Sequence, residues 1–93
     1  MRINWYNSRN VVCVAWIGPF HFNVRRWHDG EDFTVEIIGK FAPEFLASFP
    51  PNCKREEINR FMVKYAHLKV QAWEKELGTW LSDEIQNLAN SAG

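Results

Sequence analysis

The sequence predicts an α+β domain, a three- or four-stranded antiparallel sheet packed on one long helix, with a short C-terminal helix after it. Three observations point there. Apolar residues recur with period two across residues 11–39, the spacing of strands that bury one side. They recur at helical spacing across residues 53–77. Gly18-Pro19 and Asp29-Gly30 separate the strand-like runs, and Asp-Gly is a strong two-residue hairpin signal. No repeat, low-complexity tract or Pro/Gly/Ser linker divides the 93 residues. Residues 1–93 are therefore expected to form one domain, with the sheet over about 3–39, a linker over 40–51, a long helix over about 53–77 and a short helix over about 79–89.

The three clear strand runs are Val11–Ile17, Phe20–Trp27 and Phe33–Ile38, rich in the Val, Ile, Phe and Trp that suit a pleated surface. Ile3–Tyr6 is the candidate fourth, joined through Asn7-Ser8-Arg9-Asn10. A two-residue turn at Asp29-Gly30 pairs Val24 with Val35 and Phe22 with Ile37, which places like side chains on one face. Phe20, Phe22, Val24, Phe33, Val35 and Ile37 then form an apolar face. A two-residue turn at Gly18-Pro19 adds Val11, Cys13, Ala15 and Ile17 to it, whereas a three-residue loop would flip that strand.

Phe41–Phe49 reads as a linking segment with a short helical turn that has Pro43 in its first turn, and Pro50-Pro51 stops it. Asn52 is a good N-cap for the long helix. From Ile58 to Leu77 the apolar residues cover roughly 200° of the helix, wider than the stripe of about 100° that a surface helix needs. Gly78 is a natural stop, and residues 79–89 then form a second helix with Leu81, Ile85 and Leu88 on one side. A small sheet does not cover so wide an arc. Some of Val70, Trp73 and Leu77 must meet the second helix, another copy of the chain or a partner.

The other sheet face carries Val12, Val14, Trp16, His21, Asn23, Arg25, Trp27, Thr34, Glu36 and Ile38. That is too apolar and aromatic for a plain solvated face. Either the C-terminal helix or the N-terminal segment covers it, or it is a recognition surface, since Trp and Arg are enriched at interface hot spots. Candidate binding residues are Trp16, His21, Asn23, Arg25, Trp27 and Glu36.

Chemistry beyond binding finds little support. Cys13 and Cys53 are too few to staple a secreted scaffold and form no Cys-x-x-Cys pair. Cys13 reads as a small core residue. Cys53, at the helix start, is a candidate for a lowered thiol pKa against an incidental role. His21, His28 and His67 show no metal spacing, and the serines and acids sit in turns, caps and solvated clusters. No Gly-rich phosphate loop occurs. Neither enzymatic activity nor a cofactor or metal is expected.

Charge narrows the partners. Eleven Lys+Arg balance eleven Asp+Glu, which argues against a basic-tail nucleic-acid binder and against an acidic DNA mimic. Residues 1–40 hold five basic residues against four acidic, a net of +1. No run of about 18 apolar residues occurs and Met1-Arg2-Ile3-Asn4-Trp5 lacks an apolar signal core, so no membrane contact and a cytoplasmic setting are expected.

The β-β-β-α layout over residues 11–77, with Gly18-Pro19-Phe20, Arg26-Trp27-His28-Asp29-Gly30 and Phe49 leading into the helix, resembles the arm-type DNA-binding domain of phage integrases. That resemblance implies DNA contact through the sheet. In size, single-domain build and lack of catalytic motifs the chain is also similar to small phage and mobile-element proteins such as anti-CRISPR inhibitors. The latter resemblance implies an inhibitor in the host-cell cytoplasm that occupies a surface on a host defence or nuclease complex. The resulting expectation is a non-enzymatic protein-binding module, a monomer or homodimer. The alternative is a DNA- or RNA-binding module that uses the exposed sheet face.

Overall fold

Five strands and one helix make up the fold in a computed structural model that describes the backbone of residues 1–92 and the side chains of residues 1–76. The strands are β1 (Arg2–Trp5), β2 (Asn10–Ile17), β3 (Phe20–Arg26), β4 (Phe33–Ile38) and β5 (Pro43–Phe49), and helix α1 spans Arg55–Ala92. They form an antiparallel meander in the order β1-β2-β3-β4-β5, in which every strand pairs with its sequence neighbour. The candidate fourth strand is present as β1, with Ile3 opposite Ala15 and Trp5 opposite Cys13.

Both hairpins keep the register that the apolar pattern requires. Ile17 faces Phe20 across Gly18-Pro19, and Gly18 has φ 58°. A positive first φ followed by the proline-fixed negative one is the type II′ pattern, whose twist matches that of the strands. Val24 faces Val35 and Phe22 faces Ile37. The β3–β4 connection is longer than the two-residue turn expected: pairing ends at Arg25 with Thr34, and residues 27–32 form the loop. Its tip is a turn in which the Glu31 amide donates to the His28 carbonyl at 3.1 Å, with Gly30 at φ 93°. Positive φ at the third turn residue marks a type II turn, whose twist splays flanking strands instead of continuing them.

Three expectations about the sheet need correction. A β-bulge between Val11 and Cys13 puts Val11 opposite Arg25, so Val12 turns into the core at 8% exposure and Val11 takes the other face. One inserted residue reverses the alternation on the far side of a bulge. Asn10, at the start of this strand, has φ 71°, a conformation that Asn tolerates better than most residues. The segment over 40–51 contains no helical turn; it holds β5, so the sheet has five strands and runs to Phe49. Pro43 is compatible with that because it is the first residue of an edge strand, where a missing N–H costs no ladder bond. A second bulge, between Val35 and Glu36, adjusts β5 so that Phe49 and Ala47 lie opposite the core residues Phe33 and Val35.

The helix departs from expectation at both ends. Asn52 is not its N-cap. It lies in a turn closed by the Cys53 amide donating to the Pro50 carbonyl at 2.9 Å, and Lys54 supplies the first helical acceptor, for Glu57 and Ile58. Nor does Gly78 stop it: one continuous helix of 38 residues replaces the expected pair. Glycine weakens a helix interior by about 1 kcal/mol, which long flanking runs of helix formers outweigh. The expected Leu81/Ile85/Leu88 stripe, like the Leu77 side chain, lies outside the described side chains.

The core lies between one sheet face and the first half of α1. Cys13, Phe22, Val24, Val35, Ile58 and Met62 are fully enclosed, with Ala15, Phe33 and Ala66 beside them. Aromatic edges lock the layers: Phe22 meets Tyr65 at 5.9 Å and Phe49 meets Phe61 at 5.3 Å, both T-shaped. At one end Trp5 Nε1 donates to Asn59 Oδ1 at 2.8 Å, and at the other Phe20 packs on Trp73 at 5.1 Å. From Gln71 to Glu76 every helix residue is exposed, although Trp73, about half so, still rests on Phe20 of the sheet. A 38-residue helix is about 57 Å long and a seven-residue strand about 23 Å. The helix therefore outruns the sheet, in keeping with overall dimensions of 67 × 25 × 20 Å.

Candidate binding surface on the outer sheet face

All described core contacts of the helix are to one face of the sheet, so the opposite face has no helix over it among the described residues. Cross-strand register fixes what stands there. One row is Arg2, Trp16 and His21; the next is Asn4, Val14, Asn23, Glu36 and Phe45; a third holds Val11, Arg25, Thr34 and Ser48. Five of the six residues singled out from the sequence, Trp16, His21, Asn23, Arg25 and Glu36, share this face. Phe45 joins them through β5, a strand whose bulge hides its alternation in the sequence. Its exposed position on the edge, at 63%, is the contribution that sequence reasoning missed.

Two features dominate the geometry. Trp16 stacks on His21 with ring centroids 4.0 Å apart and planes 13° from parallel, while half of the indole stays exposed. Arg25 is held from two sides: its Nε donates to Glu36 Oε1, and its Nη1 donates to Asn10 Oδ1 at 2.8 Å. The guanidinium is thus neutralised in place. Two polar atoms on this face, His21 Nε2 and Asn23 Oδ1, are shut off from solvent and have no hydrogen-bond partner among the described residues. Such groups cost free energy in the isolated chain and are uncommon in native structures.

Trp27 does not belong to this face, contrary to the sequence expectation. It lies in the β3–β4 loop beyond the last ladder pair, 57% exposed, at the opposite end of β3 from Trp16 and His21. The splayed type II loop carries it off the strand, so strand parity no longer sets its direction. There it lines a separate cleft with Trp5, Arg26, Phe33 and Arg55.

The cysteines sit away from the outer face. Burial pushes the Cys13 thiol up to about 11, with Arg55 pulling weakly the other way. Cys53 precedes the helix, and its thiol is also raised to about 11. Desolvation leads, and the Glu57 carboxylate adds to it by accepting the thiol proton at 3.0 Å and by repelling the thiolate. The lowered pKa considered for a helix-start cysteine is therefore reversed, because the nearest charge is negative. Among the described residues no group of three or more His, Cys, Asp or Glu side chains is placed to hold a metal ion, and no helix is long and apolar enough to cross a membrane. No protein-family model, no curated protein and no solved structure matches the chain.

Proposed function

We propose that this chain is a non-enzymatic binding module that seats its outer sheet face on a partner protein. One observation carries the reading: a sheet face that the helix leaves bare among the described residues presents exposed Trp16 and Phe45 beside two desolvated polar atoms without partners there. An aromatic anchor beside polar groups that await pairing is the composition of an interface centre. His21 Nε2 and Asn23 Oδ1 would gain their hydrogen bonds from the partner once the side chains that cover them shift, while the paired Arg25 and Glu36 would present a defined charge pattern. The inhibitor reading, occupation of a surface on a host defence complex by a phage or mobile-element protein, draws its support from the small single-domain build alone.

Nucleic-acid contact through the same face has less behind it. The central cation, Arg25, is already paired with Glu36, and Arg2 is the exposed cation beside Trp16. A phosphate-tracking surface needs several uncommitted cations.

The test is photocrosslinking in cells with benzoylphenylalanine in place of Trp16, Phe45 or, as a control on the exposed helix surface, Gln71. The expected result is an adduct with another protein at the first two positions and none at the third. Trp16→Ala should weaken the captured complex by about 2 kcal/mol or more while the far-UV spectrum stays unchanged. Adducts formed only with a second copy of the chain would make the face a homodimer interface and overturn the heterologous reading. Equal labelling at Gln71, or none anywhere, would overturn the surface assignment.

A further inference from the structure

The cations missing from the outer face collect elsewhere. A cleft of about 430 Å³ opens where the β3–β4 loop, the β1–β2 turn and the start of α1 meet, and its walls include Trp5, Arg9, Arg26, Trp27, Asp29 and Arg55. That size lies within the range of small-molecule sites. Three arginines and one acidic residue line the cleft, and among the described residues none of the three arginines forms an ion pair. Two are held in place by aromatic faces: Arg26 lies 4.4 Å from the Phe33 ring centre and Arg55 lies 5.1 Å from that of Trp5. Arg26 Nε also donates to the His28 carbonyl at 3.1 Å, which fixes the fork and leaves its terminal nitrogens uncommitted. Trp5 is in turn pinned by Asn59 and by the edge of Phe33 at 6.1 Å. Trp27, more than half exposed, meets no other ring among the described residues.

We infer that this cleft binds a nucleoside phosphate, with Arg26, Arg55 and Arg9 on the phosphate and the Trp27 indole stacked on the base. Arginine forks bind phosphate oxygens in pairs, and guanidiniums pre-set by cation–π contact lose little freedom on binding. An exposed indole is a stacking platform for any base. Asp29 also lines the cleft, and its carboxylate is an acceptor for a ribose hydroxyl. The site lies apart from the outer face, and its occupancy is independent of the protein-binding reading above. A free mononucleotide and the terminal nucleotide of a single strand share this chemistry.

Tryptophan fluorescence of the full chain, titrated at 50 mM and 200 mM salt, separates the sources. The probes are AMP, adenosine, and oligothymidylate with and without a 5′-phosphate. Binding of AMP at least tenfold tighter than adenosine is expected, lost in Trp27→Ala and in Arg26→Gln. An oligonucleotide that binds more tightly than AMP, and weakens about 7- to 20-fold over that salt range for two to three phosphate contacts, identifies a strand as the source. Parity with AMP identifies the free nucleotide. Arg9→Gln, at an exposed turn residue, provides a variant that keeps the fold should Arg26→Gln disturb the packing on Phe33. No saturable response to any probe, or responses unchanged in Trp27→Ala and Arg9→Gln, would overturn the inference.

Discussion

Replacing Asn23 with valine should stabilise the isolated protein, an unusual outcome for a change in the middle of a sheet. Asn23 occupies the central strand between Val14 and Glu36, and its side chain makes no hydrogen bond among the described residues. An unsatisfied desolvated polar atom costs about 1–3 kcal/mol. Valine removes it and also suits a strand better, on a scale spanning about 1 kcal/mol in all. A net gain of about 2 kcal/mol is expected, which for a domain of this size raises Tm by roughly 8–16 °C. Urea unfolding followed by circular dichroism measures it, provided that the slope against denaturant is unchanged. Asn23→Asp is the matched control: a carboxylate opposite Glu36 in a desolvated row should lose stability. The same valine should weaken partner capture, because the lost amide is one of the groups awaiting a partner. A loss of stability in Asn23→Val would refute the reasoning. It would mean that the amide is already satisfied, and the outer face would lose its strongest mark as a binding surface.

Other outcomes follow from the core. Met62 is fully enclosed, so Met62→Ala should cost about 2–5 kcal/mol and Met62→Leu under about 1.5 kcal/mol in the same unfolding assay; equal effects would contradict its place in the core. The Cys13 thiol is raised from 9.0 to about 11 in the fold, so the unfolded chain releases its proton first as pH climbs. Stability attributable to Cys13 is thus intact below pH 9 and declines as pH rises through 11, by about 3 kcal/mol at most. Cys13→Ala should remove that decline, read as the difference between the two proteins across pH 8–11, and parallel curves for both would refute it.

The sequence by itself determined the α+β class, the antiparallel order of the first strands and the hairpin register. Each of these follows from local chemistry: alternation of apolar residues, the Gly18 and Gly30 turns, and the helical period from Ile58 onward. A register is settled as soon as one face must be apolar, because a one-residue slip exposes every core side chain at once. Parity along each strand grouped His21, Asn23 and Arg25 on β3, and the Asp29-Gly30 register set Glu36 beside them. Trp16 joined that face only with a two-residue turn at Gly18-Pro19, which the structure has.

Tertiary structure decided the rest. The Val12 bulge and the β5 edge strand arise from pairing with neighbours, and pairing energy is invisible to a pattern read along one segment. The Phe41–Phe49 stretch contains prolines at both flanks and reads as a linker until β4 offers it a free edge. The helix through Gly78 is the exception, a local matter misjudged in the sequence, because the flanking helix formers outweigh the cost of one glycine. Trp27 followed strand parity in the sequence, yet it lies in the β3–β4 loop past the last ladder pair and lines the cleft with Trp5, Phe33 and Arg55 instead of standing on the outer face. The cleft of arginines draws on residues 5–55, brought together by the fold alone. Parity along a strand is a local property, whereas the meeting of a loop, a turn and a helix start depends on where three separate chain reversals place them.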